Sequence, residues 1–199
     1  MKLNLGCGFN KVSGFVNVDR APECAPAVLC DLERVPWPWE DSSVDTIRLT
    51  HVLEHLGETP TAYIAIWKEL WRIGKPGAAV EIIVPHWNHE NFHHDPTHVR
   101  AITPIGVAMF DQARNVENAE RGGSESKLGL YAGVDFDVRG EDVRYDYTQE
   151  IQALLRSGKM SIADLEHAVA HQANVCEQIR LVARVVKPAR GVKWLEGRG

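Results

Sequence analysis

LNLGCG, residues 3 to 8, is followed after a short gap by FVNVD, residues 15 to 19. Each stretch is a short apolar run typical of a β-strand, the first ending in glycines and the second in an acid. Glycine lets a backbone approach a ligand closely, and a carboxylate accepts hydrogen bonds from ribose hydroxyls. Gly6, Gly8 and Asp19 therefore indicate a site for a cofactor that contains a nucleoside.

This pattern departs from that of dinucleotide-binding proteins. Lys11 stands where the third glycine of GxGxxG would be, and Asp19 follows Gly8 by only eleven residues, whereas about twenty are usual. A pyrophosphate would lack the helix N-terminus that normally receives it. A cofactor that carries adenosine without a phosphate fits the pattern better.

Outward from this pair, the chain alternates strands and helices. VDTIRLTH (44–51) has the alternation of a strand, and AAVEIIVP (78–85) is the nearly continuous apolar run of a strand buried on both faces. Between them, Thr59 and Pro60 are a helix N-cap and first residue, and apolar residues recur at helical spacing as far as Ile73. Strand, helix, strand is the signature of a parallel α/β sheet.

The rest of the chain divides into shorter predicted elements. Long polar loops are usually lids or disordered, and a basic C-terminal stretch tends to fray. The predictions are a helix at 104–113, a lid loop at 115–133, strands at 136–147 and 177–188, a helical insertion at 148–176, and a flexible tail at 189–199. Residues 1–188 are thus predicted to form a single domain.

Composition limits the class of protein. The 199 residues are 44% hydrophobic and 25% charged, which suits one globular core. The net charge of −5 disfavours long nucleic acids as partners, and no apolar run reaches the roughly 20 residues of a membrane span. The four cysteines form no CxxC pair and follow no secretory leader, so we expect a reduced, cytoplasmic protein.

Several segments in register extend the comparison beyond single motifs. They are LNLGCG (3–8), FVNVDR (15–20), LCDLERVPWPWEDSSVDTIRLTHVLEHL (29–56), KELWRIGKPGAAVEIIVP (68–85) and DPTHVRAITP (95–104). Together they resemble class I S-adenosylmethionine-dependent methyltransferases, specifically a small bacterial and phage group of methyltransferase type 11-like proteins. The resemblance implies a Rossmann-like, doubly wound α/β sheet of about seven strands, mostly parallel, with an antiparallel last strand.

The resemblance also implies which positions hold S-adenosyl-L-methionine. Carried over by position, they are Gly6, Cys7 and Gly8 for the methionine part, Asp19 and Arg20 for the ribose, Asp31 and Leu32 for adenine, and Thr50 and His51 near the transferable methyl. Asp31 has an alternative reading as the cap of the turn that follows it. A sulfonium cation with several hydroxyls suits carboxylates and backbone carbonyls.

The chain departs from many relatives in how the cofactor would be covered. It starts at its first strand, and the connection between the first two strands is shortened to FNKVSG (9–14). The pocket is therefore expected to be open on one side. The 115–133 segment, the late helices, or a neighbouring subunit of a homodimer would close it.

A histidine-rich segment, PHWNHENFHHDPTH (85–98), follows the strand at 78–85. Three interpretations of this segment are possible: a metal site, an acceptor-binding or general-base role, and solvated loop histidines. It matches no strict metal-ligand pattern, so no metal ligand is assigned. His98 and Asp95 are the predicted catalytic residues, because DPTH matches the family and imidazole titrates near neutrality.

A second histidine pair, His51 and His55, has the i, i+4 spacing that can place two imidazoles on one helix face. The match of HVLEHL to the family favours a structural or cofactor-side role over a metal. The predicted function is in-line methyl transfer to a small or medium acceptor whose receiving atom (O, N, C or S) stays open. The alternatives are a non-catalytic S-adenosylmethionine or S-adenosylhomocysteine-binding module or partner subunit, and a metal-dependent or NAD-type enzyme.

Overall fold

The computed structural model describes residues 1–191, 194 and 196. Within them the strands are β1 (Lys2–Leu5), β2 (Val16–Asp19), β3 (Val28–Leu29), β4 (Val44–Thr50), β5 (Gly74–Pro85), β6 (Phe136–Tyr147) and β7 (Cys176–Val185). They form one seven-stranded sheet in the order β3-β2-β1-β4-β5-β7-β6. The predicted number of strands is confirmed.

Strand direction also matches the prediction. Neighbouring strands from β3 to β5 pair in parallel, whereas β7 is antiparallel to both of its neighbours, β5 and β6. Of the strands in the described residues, β7 alone therefore runs against the others. It lies inside the sheet between β5 and β6, not at the edge.

The helices lie between and beyond these strands. They are α1 (Pro60–Ile73), α2 (Glu90–His93), α3 (Pro104–Ala108), α4 (Gln112–Glu120), α5 (Leu128–Ala132), α6 (Gln149–Arg156) and α7 (Ile162–His171). α6 and α7 are helices of the insertion predicted before the last strand. Among the residues described, no helix combines the length and apolar character needed to cross a bilayer.

Helix α1 packs the core on one face of the sheet. Thr59 caps it by accepting a hydrogen bond from the Ala62 N–H at 3.2 Å, as its sequence predicts. The buried ring of Trp67 stacks on Phe110 at 4.5 Å and meets the edge of Phe136 at 5.0 Å. This aromatic cluster fixes α1 against the chain that leads into β6.

The connection between β1 and β2 contains turns and no helix. The Asn17 side chain accepts hydrogen bonds from the Val12 N–H at 2.8 Å and the Asn4 amide at 2.9 Å, which braces the short loop. As a result the end of β1 and the end of β2 stay close together. The predicted shortening is confirmed.

The 115–133 segment is largely helical, so the prediction of a loop there is wrong. Asp111 caps α4 by accepting from the Arg114 N–H at 3.1 Å, and buried Asn115 donates to the Met109 carbonyl at 3.0 Å. The prediction was wrong because polar residues such as Asn115 usually indicate a loop. Here the Asn115 side chain is buried, and its hydrogen bond to the Met109 carbonyl satisfies it.

The first residues of the predicted tail are tied to the domain. Arg190 pairs with Asp135 at 2.8 Å and with Asp111 at 2.9 Å, and the Gly191 N–H donates to Gln112 at 2.6 Å. Asp135 is fully buried, so its charge needs this partner. The rest of the predicted tail, residues 192–199 apart from 194 and 196, lies outside the described residues.

Candidate functional site

The carboxyl ends of the parallel strands meet at one edge of the sheet, where open α/β sheets bind their ligands. A cavity of about 190 Å³ opens there, which we call the glycine cavity. It is lined by Gly6, Asp19, Arg20, Cys30, Asp31, Leu32, His51, Val52, His55 and Leu56. Six of these residues are predicted cofactor contacts, and they come from four separate segments of the chain.

A second space, of about 780 Å³, adjoins the first, and we call it the histidine groove. It is lined by His51, Glu54, His55, Pro85, Asn91, His94, Asp95, Pro96, His98, Glu177 and Gln178. His51 and His55 line both spaces, so the two are neighbours. No residue of 115–133 lines either of them, so a lid role for that segment stays a prediction.

The glycine turn after β1 and the acid at the end of β2 form one unit. The Asp19 carboxylate accepts hydrogen bonds from the Gly8 N–H at 2.7 Å and the Ala21 N–H at 2.9 Å. Gly6 has φ +62°, and a Cβ there would lie 2.5 Å from the Val52 side chain. The turn thus depends on glycine at position 6, and Asp19 holds it while keeping further lone pairs for a ligand.

Asp31 is the turn cap of the alternative interpretation, and its adenine contact stays a prediction. Its carboxylate accepts from the Glu33 N–H at 3.1 Å and pairs with Arg34 at 3.2 Å, which makes it a turn cap. It also stands on the wall of the glycine cavity beside Cys30. Burial, with Asp31 nearby, raises the pKa of the Cys30 thiol, so this cysteine stays protonated at neutral pH and is a poor nucleophile.

Three predicted contacts do not line the glycine cavity. Cys7 is buried, and its N–H donates to the Val18 carbonyl at 2.9 Å. Gly8 is linked to the cavity indirectly, because its N–H donates to Asp19, which lines the wall. Thr50 is exposed and lines a different surface hollow, because successive side chains of a strand point to opposite faces.

His51 stands between the two spaces in an uncommon backbone conformation, with φ +53°. Its Nε2 lies 3.1 Å from the Gln178 side-chain oxygen and its Nδ1 lies 3.5 Å from Glu54. The Glu54 carboxylate raises the pKa of His51 against the opposing effect of burial. Glu54 therefore favours the protonated form of His51, a side chain that lines both spaces.

Glu54 is a functional candidate that the sequence analysis missed. Its side chain is 1% exposed, and neither carboxylate oxygen has a hydrogen-bond partner among the described residues. Its backbone carbonyl, by contrast, accepts from the Val99 N–H at 2.9 Å. The signal in the sequence was an acid inside the apolar run VLEHL, since buried acids are rare without a partner.

The histidine-rich segment separates into residues with different surroundings. His86 and His89 are buried, and the Nδ1 of each accepts a backbone N–H two residues on, at 3.2 and 3.1 Å. Burial lowers the pKa of His86. His93 and His94 are exposed. His98 alone of the five has a side chain that is both nearly buried, at 7% exposed, and part of the groove wall.

Asp95 and His98, the predicted catalytic pair, both line the groove. Asp95 accepts from the Thr97 N–H at 2.8 Å and the Thr97 hydroxyl at 2.6 Å, and these bonds lower the pKa of its carboxyl group. Its other oxygen lies 3.9 Å from His98 Nε2. Asp95 therefore shapes the turn before His98, and it is a weak base.

Comparison with known proteins gives a likeness of fold. No family model matches the chain, and no curated protein matches its sequence. A solved S-adenosylmethionine-dependent methyltransferase from Archaeoglobus fulgidus is similar with a TM-score of 0.59 and 15% identity, over 92% of this chain and 85% of that chain. One from Methanosarcina mazei has a TM-score of 0.51 and 14% identity, over 93% and 92%.

A further similar structure is described as the [4+2]-cyclase SpnF, with a TM-score of 0.50 and 16% identity, over 93% of this chain and 75% of that chain. Identities this low establish architecture and leave the reaction to the residues of the site. The chain has the fold of S-adenosylmethionine-dependent methyltransferases.

Proposed function

We propose that the chain binds S-adenosyl-L-methionine in the glycine cavity and transfers its methyl group to a small or medium acceptor in the histidine groove. One observation carries the proposal: the glycine turn braced by Asp19 opens on a cavity that adjoins a larger groove across His51 and His55. A cofactor and a second substrate need two such neighbouring spaces.

The chemistry of the cavity wall fits this cofactor. Asp19 keeps lone pairs free for ribose hydroxyls beyond its two backbone partners, and Asp31 adds a second carboxylate. Gly6 brings its backbone to the wall without a side chain. When bound, S-adenosylmethionine supplies an electrophilic methyl group on a cationic sulfur, and carboxylates favour a cation nearby.

The residues of the groove would position the acceptor. Methyl transfer needs the nucleophile, the carbon and the sulfur in line, so most of the acceleration comes from alignment. His98 and His55 line the groove. A base is required only if the acceptor arrives protonated, which is the condition attached to the predicted role of His98.

The main alternative is a module that binds the cofactor without turnover. Such a module would keep Gly6 and Asp19 but would need no acceptor space, whereas the groove of about 780 Å³ provides one. The groove therefore favours a catalytic function over a binding module. Cytoplasmic location and a homodimer that closes the open side stay predictions of the sequence.

Titration calorimetry with S-adenosylmethionine and S-adenosylhomocysteine tests the proposal, together with mass-spectrometric detection of methylated products across acceptor panels. We expect both compounds to bind and at least one acceptor class to be methylated. Well-folded protein that binds neither compound at millimolar concentration would contradict the proposal. Binding without transfer to any acceptor would favour the module.

A further inference from the structure

We propose that Glu54, His55 and His98 form a binding site for one divalent transition-metal ion. One ligand atom from each residue lies within 4.8 Å of the other two. The distance from an ion at the centre of such a triangle to each ligand atom exceeds the usual metal–ligand distance of about 2.0–2.2 Å by less than about one ångström. We call these three residues the metal triad.

Hydrogen bonds set the tautomer of His98. Its Nδ1 lies 2.7 Å from the Phe92 carbonyl oxygen. A carbonyl oxygen only accepts, so Nδ1 carries the proton and donates it to this bond. The lone pair of the neutral ring is then on Nε2, which is the nitrogen that can bind a metal.

His55 is held in the same tautomer by a two-step relay. The Thr97 hydroxyl donates its only proton to Asp95 at 2.6 Å, so its oxygen accepts from His55 Nδ1 at 2.9 Å. The lone pair of His55 is therefore on Nε2 as well. Metal-binding histidines almost always donate their second nitrogen to a carbonyl or a carboxylate-linked partner, and both rings here do so.

Glu54 supplies the observation that points to a cation. Its side chain is 1% exposed and its two oxygens have no hydrogen-bond partner in the described part of the chain. His51 Nδ1 comes to 3.5 Å of one oxygen, which is long for a hydrogen bond. His51 is the charged neighbour of Glu54, but a buried carboxylate that accepts no hydrogen bond is costly, and a metal ion would supply a direct partner.

The donor set selects the kind of ion. Two imidazoles and one carboxylate suit Zn²⁺, Fe²⁺, Mn²⁺ or Co²⁺, whereas Mg²⁺ and Ca²⁺ prefer oxygen ligands. Three protein ligands leave coordination positions open, which is typical of catalytic sites and not of structural ones. All three residues line the histidine groove, so the open positions have room for a further ligand.

This placement narrows the acceptor class, a step that rests on the proposed function. An ion in the groove would hold an acceptor through an oxygen donor, such as a hydroxyl or carboxylate group. Coordination uses the Nε2 lone pair of His98, so the residue would then bind the ion and would not act as a free base.

The test uses the full chain, stripped of metal with EDTA and titrated calorimetrically with Zn²⁺, Co²⁺ and Mg²⁺. We expect one Zn²⁺ or Co²⁺ per chain and much weaker Mg²⁺ binding. Glu54→Gln and His98→Gln should each weaken Zn²⁺ binding by about 100-fold or more. His93→Gln changes an exposed histidine of the same segment outside the triad, and it should leave affinity unchanged.

X-ray absorption on the Zn²⁺-loaded wild type gives a readout that needs no variant, and it should show two imidazole ligands and no sulfur. The proposal is overturned if wild-type protein binds neither Zn²⁺ nor Co²⁺, if both triad variants keep its affinity, if His93→Gln weakens binding equally, or if the spectrum lacks two imidazoles. Titration of the metal-free protein with S-adenosylhomocysteine tests the proposed function separately. If this compound binds while the metal tests fail, only the metal site is overturned.

Discussion

The two glycines of the β1 turn differ in what a side chain would meet. At Gly6 a Cβ would lie 2.5 Å from Val52, whereas at Gly8 it would meet nothing within 4 Å; both have positive φ, +62° and +48°. We expect Gly8→Ala to cost about 1–2 kcal/mol of unfolding free energy from backbone strain alone. Gly6→Ala should cost about 1–3 kcal/mol more, from overpacking.

Urea unfolding measures both variants. Val52→Ala removes the two methyl groups at 2.5 and 2.8 Å, so Gly6→Ala should cost less in a Val52→Ala background than in the wild type. Equal destabilisation by the two single variants would contradict the role of Val52.

Asp19 is both a brace of the turn and a predicted ribose contact. We expect Asp19→Ala to weaken S-adenosylhomocysteine binding by roughly 1–3 kcal/mol, because a charged hydrogen-bond acceptor is removed. Calorimetry on folded protein checks this, with Glu23→Ala, an exposed acid outside the cavity, as the control. Unchanged affinity in folded Asp19→Ala would refute the assignment.

His98 faces the groove and is absent from the lining of the glycine cavity. We therefore expect His98→Ala to keep nearly normal binding of S-adenosylhomocysteine and to lose turnover, whether the imidazole takes a proton or binds an ion. Parallel calorimetry and product assays check this. A large loss of cofactor binding in folded His98→Ala would contradict this placement and assign His98 to the cofactor site.

At the scale of elements, an ion pair within α1, Glu69 with Arg72, ties the helix to the loop before β4. Glu69, whose side chain is 8% exposed, accepts from Arg72 at 2.7 Å and from the Trp37 N–H at 2.6 Å. Burial raises the pKa of Glu69, but these hydrogen bonds outweigh it and hold the pKa below its usual value. The loop carrying Trp37 thus depends on an ionised Glu69.

The depressed pKa of Glu69 determines the direction of a pH effect. Its contribution to stability is complete above the ordinary carboxyl pKa of about 4.3 and is lost as pH falls through the lower folded value. We expect Glu69→Gln to destabilise by about 1–3 kcal/mol near neutrality. The difference in unfolding free energy between wild type and variant, measured by denaturant titration, should shrink below about pH 4. A gap that widens on acidification would contradict this sign.

At the scale of the whole molecule, a ligand that binds only the folded chain raises its stability. At a concentration of 100 times Kd the gain is about 2.7 kcal/mol, or a rise in Tm of roughly 5–10 °C for a chain of this size. We expect this shift with S-adenosylmethionine or S-adenosylhomocysteine. NADH is the control and should give none, and a shift with NADH alone would favour the oxidoreductase alternative.

The architecture followed from the sequence because its signals are local and ordered along the chain. Strand periodicity, the cap of α1 and the short step from Gly8 to Asp19 each depend on neighbouring residues, and the similar solved structures confirm the resulting fold. The glycine cavity was predictable for the same reason, because parallel strands end at one edge.

Tertiary structure alone decided the partners of buried polar groups. Asn115 lies in α4 with its buried side-chain amide bonded to the Met109 carbonyl, where its sequence predicted a loop. The buried Glu54 carboxylate accepts no hydrogen bond from the described residues, and His98 comes close to it and to His55 from beyond β5 and α2. The energy of a buried polar group depends on which distant atoms surround it, and spacing along the chain carries no record of them.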